Sequence, residues 1–182
     1  MQRRRRRRCV GGGVSVQLVW LLLVLAWSWR MLVEAQQQAA LPKTDPIEVA
    51  ALNTIMGRWG LKASSEWNIS GEPCSGFASD ATDWDHQRNI NPFIKCVCSY
   101  DNNTVCHITR LRLHELNVIG HIPSELQNLT YLVDLDMNYN YLTGAIPSFI
   151  GKFTGMLYLG LGFNALSVPL PRNLGTLAIF SH

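Results

Sequence analysis

A match of the sequence with itself at an offset of 24 residues is the strongest constraint on the fold of this 182-residue chain. An aliphatic residue followed by proline recurs at positions 122–123, 146–147 and 170–171. The apolar positions that share this register are Leu111, Leu135 and Leu159; Leu113, Met137 and Leu161; Val118, Leu142 and Leu166; and Leu126, Ile150 and Leu174. Repeats of this length bury their apolar faces by stacking on one another. The sequence therefore predicts a solenoid over residues 108–182, with about three repeats.

Residues 132–142 identify the type of repeat, because they fit the leucine-rich-repeat template with Met137 in place of one leucine. Asn140 and Asn164 occupy the structural asparagine position, whereas the first repeat has Leu116 there. A side-chain amide at this position can bond backbone groups of neighbouring turns, which would otherwise be buried unpaired. The predicted fold class is an α/β leucine-rich-repeat solenoid, a short right-handed superhelix with a parallel sheet on its concave side.

The first 35 residues have the anatomy of a secretory signal. Six arginines, Arg3 to Arg8, precede an apolar stretch over residues 14–29, and Val33 and Ala35 place small residues before a cleavage site after Ala35. The open alternative is an uncleaved membrane anchor, since the apolar stretch is just shorter than a bilayer span. In both cases the arginines stay on the cytoplasmic side and the rest of the chain lies outside the cell.

The charge of the mature chain excludes one class of partner. The whole chain carries a formal charge of +3, but residues 36–182 contain nine basic and twelve acidic residues. No basic surface remains that would favour nucleic acid.

Four cysteines follow the signal segment: Cys74, Cys96, Cys98 and Cys106. An even number in an exported chain predicts two disulfides. A bond between Cys96 and Cys98 would close a very tight ring, which leaves two pairings open for Cys74, with Cys96 or with Cys98. A zinc site that adds His107 is disfavoured, because the paired two-residue gaps of common zinc modules are missing. No cofactor is expected.

Three sequons also suit an exported chain, since each has a non-proline middle residue that permits glycan transfer. The candidate N-glycosylation sites are Asn68, Asn102 and Asn128.

Residues 36–44 are polar and aperiodic and predict a flexible lead-in, and residues 45–107 predict an N-terminal cap. A helix should begin at Asp45, which can cap it, with Pro46 in the first turn. Its predicted buried stripe is Val49, Leu52, Met56 and Trp59. Beyond the helix we expect disulfide-held loops, anchored by Trp67, Trp84 and Phe93.

The concave sheet is the predicted binding surface, because consecutive parallel strands present their outward side chains as one extended face. The candidates are Arg110, Arg112, His114, Asp134, Asp136, Asn138 and Tyr158, beside Gly160 and Gly162. Asp134 and Asp136 point the same way as a metal-binding pair would, but two carboxylates alone make a weak cation site. Solvated charges are the simpler interpretation.

No catalytic constellation is present in the sequence. Gly160 and Gly162 lack the third glycine and the following helix of a phosphate loop. His107, His114 and His121 recur every seven residues, but the 24-residue frame scatters them over different parts of the coil. The sequence therefore predicts no enzyme and no catalytic residue.

The sequence resembles a known family at these positions. The Leu-x-Gly-x-Ile-Pro run at 142–147 is similar to the plant-specific class of leucine-rich repeats, and residues 91–99 and 106–109 look like the N-terminal cap of plant leucine-rich-repeat receptor-like serine/threonine kinases. The likeness is to the group with a malectin-like domain after the repeats. It implies a C-terminally truncated piece of an ectodomain, with the kinase domain elsewhere.

The same resemblance implies the partners of the chain. An extracellular protein, a peptide or a cell-wall-derived ligand is expected, together with a co-receptor. Membrane attachment would come only from the missing C-terminal part or from an uncleaved N-terminal segment. The alternative from another class is a secreted inhibitor or decoy resembling plant polygalacturonase-inhibiting proteins, which use the same repeat type.

Overall fold

The computed structural model describes residues 16–38, 41–167 and 178–179. The chain divides into two units, Met1–Leu41 and Pro42–His182. Helix α1, Val16–Gln38, is the described part of the first unit, and its side chains from 19 to 31 are exposed. No helix among the described residues is both long enough and apolar enough to cross a membrane. The arginine run and the third proline position, Pro171, lie outside the described residues.

Two sheets with mainly parallel strands lie in the second unit. The main sheet has the order β1-β3-β5-β7-β9, with β2 antiparallel on β3. Its strands are β1 (Lys43–Thr44), β2 (Phe93–Tyr100), β3 (Val105–Arg112), β5 (Asp134–Asp136), β7 (Tyr158–Gly160) and β9 (Ala178–Ile179). The second sheet contains β4 (Ile119–Gly120), β6 (Tyr141–Ala145) and β8 (Ala165–Ser167).

The register of the main sheet equals the repeat length. Leu111 pairs with Leu135, which pairs with Leu159, and all three are fully buried. The rows on either side are Arg110, Asp134 and Tyr158, and Arg112, Asp136 and Gly160. Short 3₁₀ helices, Ser124–Asn128 and Ser148–Lys152, follow the prolines and return the chain. The leucine-rich-repeat fold class is therefore confirmed.

Asn140 satisfies the backbone at the bend between the two sheets. Its Nδ2 donates to the carbonyl oxygens of Leu113, Met137 and Asn138 at 2.7, 3.1 and 3.1 Å. Its Oδ1 accepts from the backbone amides of Leu116 and Val118 at 3.0 and 3.1 Å. The side chain thus ties one coil to the coil before it.

Asn164 repeats this arrangement one coil later. Its Nδ2 donates to Met137 O at 2.9 Å, and its Oδ1 accepts from Leu142 N at 3.0 Å. Asn140 is 5% exposed, so the backbone groups that it bonds could not form hydrogen bonds with water in its absence.

The cap helix α2, Pro46–Arg58, begins where its sequence predicts. Asp45 Oδ1 accepts from Ile47 N at 2.8 Å, and the chain turns away after Arg58 through Gly60 at φ +64°. The predicted buried stripe is partly wrong, because Val49 and Trp59 are only half-buried. The buried face is Glu48, Ala51, Leu52, Ile55 and Met56.

Glu48 explains why the buried face of α2 differs from the predicted stripe. Its carboxylate is 2.9 Å from His107 Nδ1 and accepts from Ile108 N at 2.7 Å. Burial raises the pKa of Glu48, and the bonds to Ile108 and His107 oppose that rise. An apolar periodicity cannot predict a face that contains a buried, bonded glutamate.

Two further expectations for the cap are wrong. Residues 43–44 do not belong to a flexible lead-in, because they form β1, and Thr44 Oγ1 accepts from Cys74 N at 3.0 Å. The region after the helix was expected to form disulfide-held loops, yet β2 pairs with β3 and extends the main sheet. β3 itself begins at Val105, before the expected boundary between cap and repeats. Trp67, Trp84 and Phe93 are all buried.

The structure contains two disulfides, Cys74–Cys96 and Cys98–Cys106. The first links Cys74, in the chain between α2 and β2, to β2 itself, and the second links β2 to β3. This is one of the two pairings that the cysteine spacing leaves open.

We expect Asn140→Ala to lower the free energy of unfolding by about 3 kcal/mol or more, since several buried backbone groups would lose their partner at about 1–3 kcal/mol each. Urea denaturation followed by circular dichroism measures this change. Asn53→Ala on the exposed side of α2 is the matched control and should change stability little. Equal effects of the two substitutions would contradict the structural role of Asn140.

Candidate functional site

The cap loop over residues 84–91 covers part of the concave sheet. Arg112 lies under this loop, where its Nη2 donates to Trp84 O at 2.8 Å and its Nη1 to Gln87 O at 2.9 Å. The guanidinium carbon is 4.2 Å from the ring centroid of Trp84. Arg112 is 8% exposed, so the expectation that it faces solvent is wrong. The cap uses this arginine to hold its loop in place.

Asp134 is a half-buried carboxylate with incomplete partners. One oxygen, Oδ2, lies 3.6 Å from Arg110 Nη1, but Oδ1 is buried and has no hydrogen-bond partner. Burial raises the pKa of Asp134 to about 6, and Arg110 opposes part of that rise. The side chain is 16% exposed, so the sequence interpretation of a plainly solvated charge is wrong here too.

Asp136 is, in contrast, the centre of a bonded network across three repeats. Its Oδ1 accepts from Asn138 N and Nδ2 at 3.1 and 2.8 Å, and its Oδ2 is 3.2 Å from His114 Nδ1. Asn138 Nδ2 also donates to Tyr158 Oη at 3.0 Å. A Cβ on Gly160 would overlap Asn138 Nδ2, so a glycine is needed beside this amide.

These groups line a cavity of about 730 Å³ between the cap loop and the concave sheet. Six of the seven concave-face residues proposed from the sequence line it, namely Arg112, His114, Asp134, Asp136, Asn138 and Tyr158. Arg110 lies beside it and contacts Asp134. The remaining lining residues are Trp84, Asp85, Arg88, Asn91, Glu115 and Tyr139.

An aromatic stack borders this cavity and was not predicted. The rings of Tyr139 and Phe163 are 4.1 Å apart and nearly parallel, and His114 is 5.1 Å from Tyr139. Tyr139 and Phe163 are 47% and 52% exposed. Their 24-residue separation was the signal in the sequence, since aromatic residues at equivalent repeat positions stack.

The other residues singled out from the sequence lie elsewhere. Among the sequons, Asn102 and Asn128 are exposed and Asn68 is half-buried, and none of the three lines the cavity. His107 is buried with Glu48, and His121 is beside Gly144. Within the described ranges, no group of three or more His, Cys, Asp or Glu side chains could hold a metal ion.

Sequence comparison relates the chain to receptor-like proteins. The Leucine Rich Repeat family model matches residues 131–153. Two probable LRR receptor-like serine/threonine-protein kinases of Arabidopsis thaliana are 44% identical over 117 residues and 48% identical over 89 residues. These matches cover 62% and 49% of this chain but only 11% and 9% of the relatives. The chain thus spans about a tenth of their length, in their leucine-rich-repeat region and not in the kinase domain.

Among solved structures, the LRR ectodomain of the Arabidopsis receptor kinase HAESA, in complex with an IDA peptide hormone, is 42% identical. The match covers 33% of this chain and 10% of that one, with a TM-score of 0.32. The LRR ectodomain of the Arabidopsis receptor kinase SOBIR1 is 17% identical, with 69% of this chain and 71% of that chain covered and a TM-score of 0.42.

Asp134→Asn should stabilise the fold at neutral pH. The pKa of Asp134 rises from 3.8 to about 6 on folding, so its ionisation opposes folding above pH 6 and this opposition fades as the pH falls toward 4. We expect the variant to gain about 1–3 kcal/mol at pH 7.5 and little at pH 4. Urea denaturation at both values checks this.

Asp101→Asn, on the exposed turn between β2 and β3, is the control with the same charge change. A stability difference between Asp134→Asn and the parent chain that does not vary with pH would show that burial does not disfavour the ionised carboxylate.

Proposed function

We propose that this leucine-rich-repeat chain, a relative of the plant LRR receptor-like serine/threonine kinases, is the recognition module at the start of such a receptor's extracellular part. The observation that carries the proposal is the cavity between cap loop and concave sheet, whose lining comes from the cap and from three successive repeats. Two of its polar groups, Asp136 and Asn138, are held by bonds between coils, so they are ordered before a ligand arrives. Such preorganisation lowers the cost of binding.

The ligand class follows from the extracellular setting: a protein, a peptide or a cell-wall-derived molecule, with a co-receptor as second partner. The kinase activity of the relatives would lie in another part of the receptor. This chain would bind and would not catalyse. Its route would be the secretory pathway, with residues 1–35 as a signal peptide and the module at the outer face of the plasma membrane.

Size and location of the native protein test whether the chain is part of a receptor. An antibody against residues 36–182 should detect, after removal of N-glycans, a membrane-bound band several times larger than the 20.5 kDa of this chain. A soluble extracellular band no larger than that mass would instead indicate a secreted inhibitor or decoy.

A photo-crosslinker at the cavity tests recognition directly. The full chain carrying benzoylphenylalanine in place of Tyr139, expressed in plant tissue, should form covalent adducts with an extracellular molecule that mass spectrometry identifies. Tyr139 is suited because its ring is 47% exposed and lines the cavity. The same crosslinker at Asn53 on α2 is the control. Identical adduct patterns at both positions, or none at Tyr139, would contradict recognition at this face.

Glycosylation tests the secretory route. Secreted full chain should shift on a gel after enzymatic removal of N-glycans, and Asn102→Gln should remove one step of that shift because Asn102 is exposed on a turn. Thr104→Ser is the control, since it preserves both the sequon and a hydroxyl that can donate to Asp101 O. An unshifted wild-type chain would argue against passage through the glycosylating compartment.

A further inference from the structure

We propose that the cavity under the cap loop binds a cationic side chain, the lysine or arginine of an extracellular peptide segment, in front of Asp134 and Asp136. This inference rests on the proposed recognition function and names the chemistry of its ligand. Neither the repeat pattern nor the comparisons assign it.

The charge balance of the cavity favours a cation. Four carboxylates line it, those of Asp85, Glu115, Asp134 and Asp136, against the two guanidinium groups of Arg88 and Arg112. Arg112 already bonds two backbone carbonyls and stacks on Trp84, and Arg88 lies at the exposed rim. Arg110 reaches only one oxygen of Asp134, at 3.6 Å. An anionic ligand would therefore meet excess negative charge.

The unpaired atoms indicate that the missing partner is a donor. Asp134 Oδ1 and Asn91 Oδ1 are buried acceptors without a hydrogen bond, and both residues line the cavity. Each such atom lowers the stability of the fold while it stays unpaired. Because both atoms are buried, the Asp134 and Asn91 side chains must rotate toward the cavity to meet a ligand. An ammonium then offers three donors and a guanidinium five.

The aromatic residues of the cavity add to this preference. Trp84, Tyr139 and Tyr158 line its walls, and a cation over an aromatic face is attracted by the ring. The structure already shows this contact internally, in Arg112 over Trp84. A metal cation is the weaker choice, because no three-ligand group lies in the described part of the chain.

Peptide libraries that differ only in charge test the proposal. The probes are fluorescent heptapeptide mixtures with arginine, lysine, citrulline or glutamate fixed at the centre, titrated against the full chain by fluorescence anisotropy. Citrulline has the shape of arginine without its charge. We expect the arginine and lysine mixtures to bind at least about tenfold more tightly than the other two, a difference that one charge-assisted bond can supply.

Substitutions then assign the effect to the cavity. Asp134→Asn and Asp136→Asn should each reduce the preference for arginine over citrulline about tenfold, since each removes one charge and keeps the side-chain shape. Asp101→Asn makes the same charge change on the exposed turn outside the cavity and should leave the preference intact. Circular dichroism confirms that each variant is folded before its binding is compared.

The outcomes separate this inference from the proposed function. Equal binding of the arginine and citrulline mixtures would overturn the cation preference and would leave recognition at the concave face standing. A charge preference that Asp134→Asn and Asp136→Asn leave unchanged would place it outside the cavity and overturn the inference as well. Failure of recognition itself would instead appear as missing or position-independent adducts from the crosslinker at Tyr139.

Discussion

Stacking of one coil on the next depends on the side-chain amides of Asn140, which is buried, and Asn164, which is half-buried. A coil that bends this tightly leaves backbone amides and carbonyls pointing into its interior, where water cannot reach them. Asn140 alone serves five such groups, which belong to its own coil and the preceding one. Coils are therefore joined at a fixed offset. That offset aligns Arg110, Asp134 and Tyr158 in one row.

The cap solves a different problem, the exposed end of the first coil. It adds β1 and β2 to the edges of β3, and the disulfides Cys74–Cys96 and Cys98–Cys106 hold these additions. The Glu48 carboxylate supplies a further bond to Ile108 N inside the first coil. Because the cap also sends its loop across Arg112, it contributes one wall of the cavity. Protection of the coil end and formation of the cavity therefore share the same segment.

Asp134 shows how the candidate site differs from the core around it. Leu135 is apolar and fully buried, so it needs no hydrogen-bond partner. The adjacent Asp134 has an unpaired acceptor oxygen, and burial raises its pKa to about 6. A half-buried charge with incomplete partners lowers the stability of the fold. Its neighbour Asp136, only two residues away, has donors on both oxygens. Of the two carboxylates, only that of Asp134 has a buried oxygen without a hydrogen bond.

The sequence by itself determined the repeat length, the asparagine positions, the helix start at Asp45 and the rows of residues on the concave sheet. Each of these follows from local pattern or from a fixed 24-residue offset between neighbouring coils. Only the tertiary structure decided that Arg112 is covered, that one oxygen of Asp134 lacks a hydrogen bond and that β2 joins the sheet. The reason is that Arg112 meets Trp84 across 28 residues of aperiodic chain. No periodicity records such a contact, because it depends on where the disulfide-held loop settles.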